Sequence, residues 1–91
     1  NVFPSEVEDL LSDQPQVSEA AVIGIPDEKF GQRLRAFVVL KPGEALDEDT
    51  IKDLVKNRLA RHKVPRDVVY LDELPRNPTG KVLKRVLRDH P

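Results

Sequence analysis

The 91-residue chain has no cysteine. Disulfides and thiolate metal sites are therefore excluded, and the composition fits a reducing compartment, with the cytoplasm the expected location. Aromatic residues are scarce: Phe3, Phe30, Phe37 and Tyr70 complete the set. A dominant charge is missing too. Fifteen Lys and Arg stand against 16 Asp and Glu, for a net charge of −1. That balance gives no reason for bulk attraction to nucleic acid or to membranes. No apolar run approaches the roughly 18 residues that a membrane span requires. No signal-peptide pattern is present. Methionine is also absent, and a helical pattern begins almost at Asn1. Together these suggest a domain cut from a longer protein. Hydrophobic residues at 38% and charged residues at 34% suit one small domain with a modest core and a well-solvated surface.

What is present divides into seven segments. Pro4, Glu6, Glu8 and Asp9 suit a helix start, since proline is tolerated there and carboxylates complement the helix dipole. Val7, Leu10 and Leu11 follow at helical spacing, and Ser12-Asp13-Gln14-Pro15 ends the pattern. Glu19 to Ile25 is a short apolar run closed by Pro26-Asp27, the mark of a buried strand. Phe30-Gly31-Gln32 suggests a turn or loop. Leu34 to Leu40 is a second strand, ended by Lys41-Pro42-Gly43. Asp47-Glu48-Asp49 opens the clearest helix, with Ile51, Leu54, Val55 and Leu59 on one side. Arg58, Arg61 and His62 are expected at its C-terminal end, before Pro65. Val68 to Leu71 is a third strand. Leu74 to Gly80 is a loop with two prolines, and Thr79 is expected to N-cap a last helix carrying Val82, Leu83, Val86 and Leu87. The fold class is α+β: a small three-stranded sheet covered by about three helices.

Chemistry concentrates at Gly80-Lys81. The pattern places Lys81 at a helix start, where its charge opposes the dipole. Gly80 permits close backbone approach or positive φ, and free N–H groups at a helix N-terminus hold anions. A phosphate or carboxylate is the implied ligand; a solvated surface lysine is the plainer reading. A P-loop is rejected, because Pro75 and Val82 stand where it needs a glycine and a Ser or Thr. Asn77-Pro78-Thr79 fails as a glycosylation site because its middle residue is proline. Lys81, Lys84, Arg85 and Arg88 read as a solvated face, since no aromatic platform for nucleic acid lies nearby. His62 and His90 stand alone in the sequence; His62 suits a helix C-cap. The carboxylates Glu6, Glu8, Asp9, Asp47, Glu48 and Asp49 read as helix-start charges. No metal site is expected.

Two motifs at opposite ends of the chain carry a resemblance. Asn1-Val2-Phe3-Pro4-Ser5-Glu6-Val7-Glu8 resembles the segment after the hinge in the C-terminal domain of the acyl-adenylate-forming superfamily. Pro75-Arg76-Asn77-Pro78-Thr79-Gly80-Lys81 resembles that domain's last core motif. Val22 to Asp27 and Gly31 to Val39 look like its middle strands, so the resemblance spans essentially the whole chain. The superfamily includes acyl-CoA synthetases, peptide synthetase adenylation domains and beetle luciferases.

The resemblance implies a lid domain, residues 1–91, of a larger two-domain enzyme. Such enzymes activate a carboxylic acid with ATP and Mg²⁺ to an acyl-AMP and pyrophosphate. Many then pass the acyl group to the thiol of CoA or of a carrier-protein phosphopantetheine. The counterpart of Lys81 is the catalytic lysine of adenylation, with Thr79 and Gly80 in the substrate and nucleotide loop. After rotation of the domain, Asn1, Val2, Phe3 and Pro4 are expected on the pantetheine side. In some relatives this lysine is reversibly acetylated. The form of the first motif favours a fatty-acyl-CoA ligase. A fatty acyl-AMP ligase or a peptide synthetase domain is the alternative within the superfamily, and a stand-alone interaction module with a basic C-terminal helix is the alternative outside it. The implied partners are an N-terminal domain and a carboxylic acid, with a fatty acid expected. This stretch alone is expected to bind no cofactor and to be inactive.

Overall fold

A computed structural model describes residues 3–29 and 31–90. The elements follow in order as α1 (Pro4–Ser12), β1 (Val17–Asp27), β2 (Gly31–Leu40), α2 (Glu48–Arg58), β3 (Asp67–Tyr70) and α3 (Lys84–Arg88). A 3₁₀ turn, Arg61–Lys63, separates α2 from β3. The three-stranded sheet has the order β1-β2-β3. β1 and β2 pair antiparallel, with Val22 opposite Ala36 and a register shift between Val17 and Glu19. β2 and β3 pair parallel, with Phe37 opposite Val69. Parallel neighbours need a long crossover, and α2 supplies it.

Both sides of the sheet are covered. Val22, Leu34, Ala36 and Val38 point to the side where Val7 and Leu11 of α1 and Ile51 and Val55 of α2 pack. Ala21, Ile23, Ile25, Phe37 and Val39 point to the other side, against Leu74 and Leu87. This explains why the strand sequences are continuously apolar rather than alternating. α2 starts at Asp47, whose carboxylate accepts the Thr50 N–H at 2.7 Å. That bond satisfies one of the orphan donors of the first turn. Hydrogen bonds from Thr50 hold the Asp47 carboxyl below its ordinary pKa.

The three-stranded, helix-covered architecture agrees with the sequence expectation, and four local readings need correction. Gly31 and Gln32 open β2 instead of forming a turn; Phe30, in the same expected turn, lies outside the described residues. α2 stops at Arg58, so His62 sits exposed in the 3₁₀ turn and caps no α-helix. The last helix is five residues long and starts at Lys84, with Leu83 as an N-cap that offers no side-chain bond. Of its expected apolar face only Leu87 is buried, while Val86 is 44% exposed. Finally, His90 does not stand alone. Its ring meets Phe37 edge-on at 5.6 Å, and its carbonyl accepts from Arg35 at 3.3 Å.

Candidate functional site

The last core motif forms a small hairpin rather than a helix start. Arg76 and Val82 bridge antiparallel. The Asn77 N–H donates to the Lys81 carbonyl at 3.0 Å, and the Leu83 N–H donates to the Pro75 carbonyl at 2.9 Å. The turn is closed by the Gly80 N–H on the Asn77 carbonyl at 2.9 Å. Asn, Pro and Gly at the first, second and fourth places are a strong turn combination. Gly80 has φ +88°, a left-handed conformation natural to glycine.

One side chain organises this turn. Asn77 Oδ1 accepts from the Thr79 N–H at 3.1 Å, the Thr79 hydroxyl at 2.7 Å and the Lys81 N–H at 2.9 Å. Thr79 therefore turns back to Asn77 and does not cap a helix. The amides of Thr79, Gly80 and Lys81 are all bonded within the loop, so the tip offers no nest of free N–H groups to an anion. The expected conflict between Lys81 and a helix dipole does not arise either. What the tip presents is the Lys81 side chain itself. Lys81 is exposed, and among the described residues its ammonium has no hydrogen-bond or ion-pair partner.

The hairpin is fastened to the domain at several points. Arg76 donates to the Gly80 carbonyl at 2.6 Å and forms an ion pair with Glu19 of β1. Leu74 and Leu87, before and after the hairpin, are 4% and 2% exposed. Lys84 pairs with Glu8 of α1 at 2.9 Å. The same Glu8 oxygen accepts the Val22 N–H of β1 at 2.9 Å. Glu8 is thus more than a helix-start charge: it ties the first motif to the segment that follows the last one. Glu6 of the same motif pairs with Lys63.

Of the other residues singled out in the sequence, Asn1 and Val2 lie outside the described residues. Phe3 is exposed and Pro4 occupies the first turn of α1. The structure therefore places Thr79, Gly80 and Lys81 together on the hairpin, whereas Phe3 is the N-cap of α1 and Pro4 lies in its first turn. Asn77 was missed as an organiser; the signal for it was the Asn-Pro-x-Gly order itself. Among the described residues, no group of three or more His, Asp or Glu side chains could hold a metal ion. No helix of the described residues is long and apolar enough to cross a membrane.

Comparison with known proteins gives this arrangement a class. The chain superposes on ATP-bound MatB from Rhodopseudomonas palustris with a TM-score of 0.92 and 42% identity, covering 98% of this chain and 18% of that one. It is 55% identical over 89 residues to 3-[(3aS,4S,7aS)-7a-methyl-1,5-dioxo-octahydro-1H-inden-4-yl]propanoyl:CoA ligase of Rhodococcus jostii, covering 98% of this chain and 17% of the relative. It is 48% identical over 89 residues to the long-chain-fatty-acid–CoA ligase FadD13 of Mycobacterium tuberculosis, covering 98% of this chain and 18% of that relative. The small mixed sheet with its lysine-tipped hairpin is thus the C-terminal domain type of acyl-adenylate-forming enzymes. The model of the AMP-binding enzyme C-terminal domain matches residues 6–81, and the chain belongs to that family. It spans 17–18% of the length of these curated relatives.

Proposed function

We propose that this chain is the mobile C-terminal domain of an ATP-dependent acyl-CoA ligase, in which Lys81 serves adenylation. The carrying observation is the exposed ammonium without a partner at the end of an internally bonded hairpin. A cation without a counter-ion among the described residues suits an anion supplied from elsewhere. The carboxylate of the acid would attack the α-phosphorus of ATP, releasing pyrophosphate and forming acyl-AMP. Negative charge gathers on the reacting carboxylate and phosphate, and a positioned ammonium stabilises it. Rotation of the domain would then withdraw Lys81 and present the α1 end, with Asn1 to Pro4, while the CoA thiol displaces AMP. ATP and CoA are the proposed co-substrates. Mg²⁺, if used, would be held by the rest of the enzyme, because the described residues offer no ligand set. A fatty acid is the proposed substrate class, supported by the name of the FadD13 relative, while the Rhodococcus relative is named for a bicyclic propanoyl acid. Acetylation of Lys81 would switch adenylation off by removing the charge.

The test is Lys81→Ala in the full-length enzyme. Adenylation, followed by pyrophosphate release, is expected to fall at least about 100-fold, the scale for loss of one preorganised electrostatic contact. Thioester formation from supplied acyl-AMP is expected to continue at close to the parent rate. Parent-level adenylation by the variant would end this reading.

A further inference from the structure

One side-chain atom gathers three of the bonds in the loop beneath Lys81. Asn77 Oδ1 takes three donors, two of them backbone N–H groups, and the last is the amide of Lys81 itself. The Asn77 main chain adds two more bonds, to the Lys81 carbonyl and the Gly80 amide. Lys81 therefore has both its N–H and its C=O fixed by Asn77, while its side chain stays free. We propose that Asn77 is a positioning residue for Lys81, fixing the point and direction from which the ammonium leaves the hairpin.

The physical case is that a lysine side chain is long and rich in rotamers, so ordering it costs conformational entropy. Reaching a reacting phosphate productively then depends on the backbone origin being invariant. A displacement of about 1 Å by a residue away from the chemistry can cost on the order of 100-fold in rate. The two main-chain bonds of Asn77 need no side chain, so alanine and aspartate at this position are expected to keep them. They preserve the hairpin, whereas the bonds through Oδ1 set how its tip is oriented. Alanine at position 77 removes all three Oδ1 bonds. Aspartate keeps an oxygen acceptor at the same position. Asn77 is itself half-buried and no part of either apolar core, so its replacement leaves the packing of the domain intact.

This inference rests on the adenylation role of Lys81, and the experiment separates the two. In the full-length enzyme, Asn77→Ala, Asn77→Asp, Lys81→Ala and the Asn77→Ala/Lys81→Ala double variant are compared in both half-reactions. Asn77→Ala is expected to lower kcat for adenylation about 10- to 100-fold, with KM for ATP within about two-fold of the parent. Its thioester formation from supplied acyl-AMP is expected to match the parent. Asn77→Asp should recover most of the lost rate. The double variant should be no slower than Lys81→Ala alone, because Asn77 acts only through that lysine. Undiminished adenylation by Asn77→Ala, alongside an impaired Lys81→Ala, would overturn the role of Asn77 and leave that of Lys81 standing. Equal loss of both half-reactions in Asn77→Ala, or a double variant much slower than Lys81→Ala, would also overturn it. Undiminished adenylation by Lys81→Ala would overturn both.

Discussion

At the scale of single residues, the hairpin shows how little chemistry a tight turn needs. Gly80 sits at φ +88° with open space where a Cβ would project. Crowding is thus no part of its role, and only the backbone conformation restricts the position. Gly80→Ala is expected to cost about 1 kcal/mol, the strain of a left-handed alanine. A urea titration of the 91-residue chain should show a lower midpoint with an unchanged slope. The positive φ at Gly80 was readable from the sequence, and so was the rejection of a P-loop. The actual setting of Lys81 was not. Thr79 has good N-cap chemistry and apolar residues follow at helical spacing, so a helix start looks natural. Asn77 competes for the same hydroxyl and amides, and a side-chain acceptor two to four residues upstream wins over a helix of only five residues.

At the scale of elements, the sheet has an open edge along β1. Edge N–H groups invite pairing with another chain. Here Glu8 of α1 accepts one of them, from Val22. Lys84 approaches the same carboxylate from the C-terminal segment. Glu8→Ala is expected to destabilise the domain by about 1–2 kcal/mol, through loss of an acceptor for a partly buried amide. Hydrogen exchange at the Val22 amide should accelerate, and a change confined to other amides would count against this account. The elements themselves were legible because hydrophobic periods and proline or glycine stops mark them clearly. Their ends were less so. β2 begins three residues earlier than its apolar run, at Gly31, because pairing with Asp27 and Pro26 extends the ladder regardless of side chain. The long-range role of Glu8 was invisible, because nothing local distinguishes it from Glu6 or Asp9.

At the scale of the whole molecule, the third strand is joined to the second by charge as well as by its ladder. The Asp67 carboxylate accepts from Arg33 Nε at 3.1 Å and Arg35 Nε at 3.3 Å. Partial burial works against its ionisation, but hydrogen bonds and positive charge from the two arginines outweigh that and lower its pKa below 3.8. A carboxyl whose folded pKa is lowered contributes stability above its unfolded pKa. That contribution fades as pH falls through the folded value. Asp67→Asn is therefore expected to be less stable than the parent at pH 7, by under about 1 kcal/mol for so exposed a pair of contacts. The gap should begin to narrow below about pH 4 and go on narrowing as pH falls through the lower folded value, as followed by thermal unfolding across a pH series. A gap independent of pH would show that it does not come from the Asp67 charge and would overturn this account.

The two-sided sheet has a mechanical consequence. α1, which carries the first motif, packs on one side, while Leu74 and Leu87 anchor the Lys81 hairpin on the other. Glu8 and Lys84 stitch the two sides together around the open edge. α1 and the Lys81 hairpin are thus anchored on different sides of one sheet. Under the proposed rotation, whichever side is turned toward the partner domain turns the other away. Under that proposal the order of the two half-reactions would be enforced by shape, and no separate signal would be needed to retire the lysine before the thiol arrives.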